Sequence, residues 1–324
     1  MKISVTDKHG SGIIKEFAAA LGTKMTGHYL YIPKNKGEGF ITGFSWNDNQ
    51  LRMMLRNYHL NEEIVLERTN EFAEDQDDII FILNGIFPKP LSNEKILFAE
   101  KPGVTICRQS VTSVVEMPSN TFFRSIVIAV SKKHLHQLFG NVDHPLVESI
   151  LNANDNFAFD TILTAEMIKT AGELLNTFIP ESIESRFSKL KCEELLCYIF
   201  GLLVQRDSFP TSTLHIADIK SIYAIKLQLQ NNLDGAPNIS LLAKEAGMSE
   251  PKMRKIFKQT FGKGVFEYFQ SNRMNEAARL LREQHLTVSE VGYQLGFTNL
   301  SHFSRVFEEH IGMKPKKYSS NNAL

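Results

Sequence analysis

One short pattern occurs twice in residues 238–318, and it limits what this part of the chain can fold into. Each copy contains a short amphipathic helix, a glycine and a second amphipathic helix with an aromatic residue near its end. The copies span residues 238–258 and 287–308. Two helices joined by a turn that contains glycine form a helix-turn-helix, whose second helix is free to enter a groove of DNA. We therefore predict two such units.

Two glycines mark the turns of the predicted units. Gly247 and Gly296 stand between the helices, where a positive φ costs little only for glycine. Ala243 lies where the first two helices approach most closely, and Gly292 takes that place in the second copy. The turn glycines are 49 residues apart, and the second turn is predicted to be one residue longer. A single copy is also typical of an ordinary helical hairpin, but the repetition favours helix-turn-helix units.

A single helix is predicted between the two copies. Apolar residues recur at helical spacing over the 19 residues of Val265–Glu283. At about 1.5 Å per residue this helix would be about 28 Å long. That length is close to the roughly 34 Å between successive major-groove faces on one side of B-DNA. Thr287 and Glu290 form a T-x-x-E capping box, which predicts where the second unit begins.

A recognition helix turns its apolar side inward and its polar side toward DNA. In the first unit the predicted DNA contacts are Ser249, Glu250, Pro251, Lys252, Arg254, Lys255 and Lys258. In the second unit they are Thr298, Asn299, Leu300, Ser301, Ser304 and Arg305. Arg254 and Lys255 are predicted to donate to guanine O6 and N7, whereas Lys252 and Lys258 are predicted to hold phosphates. The alternative is an ordinary solvated helix face.

The charge distribution separates the C-terminal part from the rest. Residues 218–317 contain 15 Lys or Arg and 10 Asp or Glu, which gives a net charge of +5. The remaining residues contain 21 basic and 26 acidic side chains, so the net charge of zero combines a basic block with an acidic one. This asymmetry fits a nucleic-acid-binding module that is joined to a different kind of domain.

Several short motifs follow one another between residues 217 and 320. They include L-A-K-E-A-G-M-S, R-M-N-E-A-A-R-L-L, V-S-E-V-G-Y-Q-L-G-F, F-S-R-V-F and G-M-K-P-K-K-Y. Together these motifs resemble the AraC/XylS family of bacterial transcription regulators. The resemblance implies a DNA-binding domain of seven helices, with two recognition helices in adjacent major grooves of double-stranded DNA. The chain departs from the family at Gly292, where alanine is usual, and at Glu308 and Glu309, where basic residues are common.

The first 140 residues contain short runs of Ile, Val and Phe separated by turn residues. The predicted strands are residues 29–32, 40–44, 51–58, 64–68, 79–83, 104–110 and 122–130, with a short helix at 13–21. Short strands at this spacing favour an antiparallel barrel or jelly roll. The family resemblance implies a cupin-like jelly roll that binds a small effector or mediates dimerisation.

Residues 144–206 have the pattern of three helices. The second is predicted to include Ile162, and the third has a wide apolar arc from Leu190 to Val204. This arc is predicted either to pack against the N-terminal domain or to form a homodimer interface, as the resemblance implies. The three cysteines, Cys107, Cys192 and Cys197, lack metal-ligand spacing and are predicted to be buried thiols of a cytoplasmic protein.

These observations predict an α+β chain with a β-rich N-terminal domain, a helical segment and an all-α C-terminal domain. The predicted boundaries are 1–140 for a sensor domain like a cupin or jelly roll, 141–206 for a dimerisation segment, 207–216 for a linker and 217–320 for the DNA-binding domain. The sequence has no apolar run of about 18 residues and nothing like a signal peptide, so neither a membrane span nor secretion is expected.

The leading hypothesis is a sequence-specific transcription regulator that forms a homodimer and responds to a small effector. RNA polymerase is a further candidate partner. One alternative is a DNA-binding regulator without an effector, and another is a cupin-type enzyme fused to a DNA-binding domain. Cupin enzymes usually hold a metal with two or three His and a Glu. The N-terminal part lacks an H-x-H-x(3,4)-E run, so no catalytic residue, cofactor or metal site is predicted.

Overall fold

The computed structural model divides the chain into two units, Met1–Leu214 and His215–Leu324. The residues it describes are 2–6, 12–62, 64–69, 78–86, 102–108, 114–117, 121–153, 157–176, 179–205, 216–283 and 286–320. The predicted linker, residues 207–216, lies outside these ranges except for its last residue. Among the described residues, no helix has the length and apolar character that crossing a membrane requires.

The N-terminal unit contains two β-sheets in its described part. The strands are β1 (Lys2–Thr6), β2 (Tyr29–Tyr31), β3 (Gly37–Trp46), β4 (Leu51–Leu60), β5 (Ile64–Thr69), β6 (Asp78–Asn84), β7 (Gly103–Arg108), β8 (Val114–Met117), β9 (Thr121–Ser131) and β10 (Ala158–Thr161). Seven form an antiparallel sheet in the order β10-β7-β6-β9-β4-β3-β2, and three form a second sheet in the order β1-β5-β8. The chain therefore leaves the larger sheet at β5 and again at β8, as in a two-sheet jelly roll.

The seven predicted strands are all present, and their ends differ by at most three residues from the prediction. The strands β1, β8 and β10 were not predicted. The last of these lies in the segment predicted to be helical, and it is only four residues long. Such a run is too short to show a period, and it becomes a strand because it pairs with β7, where Phe159 lies opposite Ile106.

Five helices accompany the sheets in the described part of this unit. They are α1 (Gly12–Leu21), α2 (Lys132–Phe139), α3 (Pro145–Leu151), α4 (Ala165–Asn176) and α5 (Glu181–Leu203). The helices α2 to α5 share one core with the larger sheet, and α1 packs in a separate core with β2, β3, β4 and β9. Phe200 of α5 stacks on Phe139 of α2 with 3.9 Å between ring centroids. The prediction that Ile162 belongs to a helix is wrong, because Thr164 caps α4 and Ile162 precedes that cap.

The helix α5 buries only one side of its apolar arc. Its buried residues include Cys192, Leu195, Leu196, Ile199 and Leu203. Leu190 is 61% exposed and Val204 is 39% exposed, because the sheet and the neighbouring helices cover a single face of α5. Cys197 is also exposed, so the prediction of three buried thiols is correct only for Cys107 and Cys192. Burial raises the pKa of the Cys107 thiol to about 12.

The described part of the C-terminal unit consists of seven helices, as the family resemblance implied. They are α6 (Ile216–Asn231), α7 (Ile239–Glu245), α8 (Glu250–Phe261), α9 (Val265–Glu283), α10 (Val288–Gln294), α11 (Leu300–Ile311) and α12 (Pro315–Ser320). The first helix-turn-helix is α7 with α8, and the second is α10 with α11. The connecting helix α9 has the predicted bounds and contacts α6, α8, α10, α11 and α12.

Both turns have the predicted glycine conformation. Gly247 has φ +66° and Gly296 has φ +76°. Five residues separate α10 from α11 and four separate α7 from α8, which confirms the longer second turn. The capping box of Thr287 and Glu290 is also present, and hydrogen bonds from Thr287 lower the pKa of the Glu290 carboxyl.

The second turn has a neighbour that the first lacks. A Cβ atom added at Gly296 would lie 1.5 Å from the carbonyl oxygen of Asp234, in the loop between α6 and α7. A Cβ atom added at Gly247 would meet nothing within 4 Å. Gly296 is therefore required both for its backbone angle and for this close approach.

We predict that Gly296→Ala destabilises the protein more than Gly247→Ala. The control substitution costs about 1–2 kcal/mol, the usual penalty for a side chain in the left-handed region. At Gly296 the overpacking against backbone adds about 1–3 kcal/mol to that penalty. Urea unfolding of the full chain, followed by helical circular dichroism, measures both losses. Equal losses would show that the contact with Asp234 has no energetic weight.

Candidate nucleic-acid interface

The second helix of each unit turns its apolar side inward. Met253, Ile256 and Phe257 of α8 are buried, and Phe303, Val306 and Phe307 of α11 occupy the same places. Each helix ends at a glycine in the left-handed conformation, Gly262 with φ +74° and Gly312 with φ +82°. The glycine allows the chain to change direction at the end of the helix. The helices α8 and α11 are therefore separate from the helices that follow them, and each has one polar face.

The outward face of α8 is more basic than the outward face of α11, the other recognition helix. Arg254, Lys255 and Lys258 are all exposed, and Arg254 and Lys258 lie one turn apart on the same row. Pro251 is exposed beside Lys255, one turn nearer the helix start. The helix therefore presents two rows of outward side chains with guanidinium and ammonium donors.

Two predicted contacts on α8 already have carboxylate partners. Arg254 Nη2 lies 3.6 Å from Glu250 Oε2, and Lys252 Nζ donates to Asp218 Oδ1 of α6 at 2.8 Å. Glu250 also accepts a hydrogen bond from Ser240 of α7. Exposed ion pairs contribute about 0–1 kcal/mol, whereas a bidentate arginine–guanine contact contributes about 1–3 kcal/mol. DNA can therefore draw Arg254 away from Glu250, but Lys252 is tied to a less exposed carboxylate.

The starts of the two recognition helices differ in how they are capped. Ser249 precedes α8 and is exposed, and its side chain makes no capping hydrogen bond. Asn299 precedes α11, and its Oδ1 accepts from the backbone N–H of His302 at 3.0 Å. The Ser249 hydroxyl is thus available to a ligand, whereas the carbonyl oxygen of Asn299 is used inside the fold and only its amide Nδ2 can donate outward.

The outward face of α11 borders a shallow groove of about 440 Å³. Its lining residues are Leu300, Ser301, Ser304, Arg305, Glu308 and Lys314. Thr298, Ser301 and Arg305 are exposed, and Ser304 is half-buried. Arg305 Nε lies 3.9 Å from Glu309 Oε1, and Arg305 Nη2 lies 3.3 Å from His302 Nδ1. This face therefore offers one guanidinium among hydroxyl groups, beside two carboxylates.

Leu300 is placed differently from the other predicted contacts. It is half-buried, and a Cβ atom added at Gly292 would lie 2.6 Å from its Cδ2 and 3.3 Å from Phe303 Cδ1. The missing side chain at Gly292 thus leaves the space that Leu300 occupies. This packing accounts for the departure from the usual alanine of the family, and it turns part of Leu300 away from the groove.

Arg273 of α9 holds the second unit in place, a role that the sequence did not reveal. Its guanidinium donates to the carbonyl oxygen of Leu295 at the end of α10 and to Gln270 Oε1 at 3.3 Å. The same group lies 3.9 Å from the ring centroid of Phe297. Burial lowers the pKa of Arg273. Its position on the inward side of α9 was the only sign of this role in the sequence.

Among the residues that the structure describes, no three His, Cys, Asp or Glu side chains come together in an arrangement that could hold a metal ion. The sequence His134-Leu135-His136 places two histidines two positions apart in α2. His134 is buried and its Nδ1 lies 3.2 Å from Gln137 Oε1, whereas His136 is exposed.

The C-terminal unit has relatives among known proteins. A protein-family profile described as "Helix-turn-helix domain" matches residues 242–321. The probable transcription factor PqrA of Proteus vulgaris is 30% identical over 100 residues, which cover 31% of this chain and 80% of PqrA. The chain belongs to the AraC/XylS family of transcription regulators. As a member of that family it is a DNA-binding transcription regulator.

Other relatives of this AraC/XylS regulator are less similar to it in sequence. The transcriptional activator RhaR of Pectobacterium atrosepticum is 24% identical over 156 residues, which cover 48% of this chain and 55% of RhaR. The crystal structure of ToxT from Vibrio cholerae O395 is 13% identical and covers 87% of this chain and 96% of ToxT, with a TM-score of 0.34. A likeness this remote adds nothing to the family assignment.

Proposed function

We propose that this regulator recognises a specific DNA sequence by placing α8 and α11 in adjacent major grooves. Arg254, Lys255 and Arg305 contact bases in this proposal, and Lys258 contacts a phosphate. The observation that carries it is the exposed row of Arg254 and Lys258 on a helix that begins after a glycine turn. The glycine turn and the buried apolar side are repeated at α11, which carries the exposed Arg305. The connecting helix α9 contacts both recognition helices.

The remaining predicted contacts have lesser roles. Ser249, Pro251, Thr298, Ser301 and Ser304 are small or polar and lie near the helix starts, where base edges are read. Glu250 is suited to accept a hydrogen bond from cytosine N4 once DNA separates it from Arg254. Asn299 can donate its amide to an acceptor, and Leu300 contributes apolar surface to the groove. Lys252 supports a phosphate only when it leaves Asp218.

A small effector is proposed to bind the face of the larger sheet that turns away from α2 to α5. Met54, Val127 and Ile82 lie side by side on three neighbouring strands of this face, and all are half-buried. Next to them the buried Arg56 Nε donates to Ser125 Oγ at 2.7 Å. Apolar surface beside a few polar groups is typical of small-molecule sites. The proposal assigns no catalytic step to this domain.

A homodimer is proposed to form through α5. Four exposed residues recur at intervals of seven along this helix and its C-cap: Ile183, Leu190, Cys197 and Val204. Residues seven apart lie on one helix face, and apolar repeats of this spacing are typical of paired helices. The stripe lies away from the buried side of α5, so a second copy of the same helix is able to cover it.

The test of the proposed function uses a duplex that the protein itself selects from random sequences. Arg254→Ala is expected to weaken binding to that duplex by about 1–3 kcal/mol and to relax the preference at one base pair. Arg305→Ala is expected to do so at a different base pair, and the two losses should roughly add. Lys258→Ala is the control, since it should weaken all duplexes alike and leave base preference unchanged. An unchanged base preference in Arg254→Ala would contradict the proposal.

We predict that an effector bound at this site raises the unfolding temperature of the protein. A small molecule that binds only the folded protein raises its free energy of unfolding, by an amount that grows with the logarithm of the ligand concentration once this exceeds Kd. We expect such a molecule to raise the unfolding temperature of the wild type but not of Val127→Phe, whose ring covers the half-buried surface. Both proteins should still bind DNA. If no small molecule stabilises the wild type, the alternative of a regulator without an effector is favoured.

We predict that Leu190→Glu weakens self-association, because Leu190 lies in the proposed interface of α5. Each protomer loses about 1.5–3 kcal/mol of apolar burial, so the dissociation constant should rise by at least about tenfold. Ile162→Glu is the matched control, because Ile162 is 66% exposed and lies outside α5. Sedimentation of the full chain measures both variants. An equal effect of the two substitutions, or none, would remove α5 as the interface.

A further inference from the structure

The two recognition helices are followed by the same structural sequence. Each ends at a left-handed glycine, and the next helix begins three residues later, at Val265 or at Pro315, both of which are buried. Tyr268 then packs edge-on against Phe257 with ring centroids 5.4 Å apart, and Tyr318 packs edge-on against Phe307 at 5.6 Å. The start of α9 and the whole of α12 therefore hold equivalent positions, 50 residues apart in the sequence.

Charge is distributed differently in the two copies. The helix α8 contains four basic residues and one acidic residue, a net charge of +3, whereas α11 contains one Arg and two Glu, a net charge of −1. The order is reversed in the segments that follow. Residues 262–268 have one Lys and one Glu, but residues 312–318 have three Lys and no acidic residue. The second copy thus carries its positive charge after the recognition helix rather than on it.

The three lysines of the second copy are Lys314, Lys316 and Lys317, which we call the α12 lysine cluster. Lys314 lines the groove beside α11 together with Arg305 and Glu308. All three lysines are exposed. Because Pro315 is buried and Tyr318 packs inward, the lysine side chains between them extend toward solvent. In the part of the chain that the structure describes, none of these ammonium groups has an ion-pair partner.

We propose that the α12 lysine cluster binds the DNA phosphates that flank the groove entered by α11. Lys258 is the corresponding phosphate contact in the first unit, but its counterpart on α11 is Glu308, which repels phosphate. In the second unit, contact with the DNA backbone is therefore made by the lysines that follow the recognition helix and not by the helix itself. This inference rests on the proposed function and adds a contact surface that its base-reading residues do not include.

The test is the salt dependence of binding to the selected duplex by the full chain. Each phosphate contact contributes about −0.9 to the slope of log affinity against log salt concentration. Changing Lys314, Lys316 and Lys317 together to Ala should make the slope shallower by about 2–3, weaken all duplexes alike and leave base preference unchanged. Changing the same three residues to Arg should retain the wild-type slope, since the positive charge is kept.

A matched control removes the same charge elsewhere. Lys24, Lys133 and Lys169 are exposed residues of the N-terminal unit, and changing them together to Ala should leave the slope within about 0.5 of the wild type. An equal effect of the two triple variants, or an unchanged slope in the α12 variant, overturns the inference. If Arg254→Ala still alters base preference in that case, the proposed function stands without it. A wild-type protein that selects no duplex overturns both.

Discussion

The arrangement of the two helix-turn-helix units depends on one close backbone contact. The turn at Gly296 approaches the carbonyl of Asp234 so closely that no side chain fits between them. Arg273 reinforces the contact from α9 by binding the carbonyl of Leu295, one residue before that turn. Leu233, next to Asp234, packs against the core of the second unit. The loop before the first unit and the turn inside the second are thereby joined by contacts that an independent rotation of either unit about α9 would break.

A fixed arrangement has consequences for how DNA is read. In the proposed function, two recognition helices on one frame meet the duplex in one orientation, so little entropy is lost in ordering one unit relative to the other. The side chains themselves remain adjustable, because Arg254 and Arg305 are exposed and their carboxylate partners are neighbours on the same helix. Exchange of such weak pairs for a guanine is favourable. In the proposed function the frame therefore sets where each helix lies, and the exposed side chains decide which bases are preferred.

Local features of this fold could be predicted from the sequence, and long-range contacts could not. The bounds of α9, the glycine turns and the capping box at Thr287 follow from helical spacing, backbone angles and neighbouring residues. The hydrogen bond between Lys252 and Asp218 joins residues 34 positions apart, and nothing near Lys252 in the sequence indicates it. The exposure of Cys197 could not be predicted for a similar reason. Apolar spacing shows that a helix is amphipathic, but it does not show how wide a face the neighbouring elements cover. The short strand β10 depended on its pairing with β7.

In the proposed function one protomer reads two major-groove segments at once. Interference by methylation of guanine N7, measured on the selected duplex, tests it most directly because the methyl group lies in the major groove. We expect two short patches of interference per protomer, about one helical turn apart on the same face of the DNA. Arg254→Ala should remove interference in one patch and Arg305→Ala in the other. A single patch per protomer, abolished by Arg254→Ala and unaffected by Arg305→Ala, would show that only the first unit reads DNA.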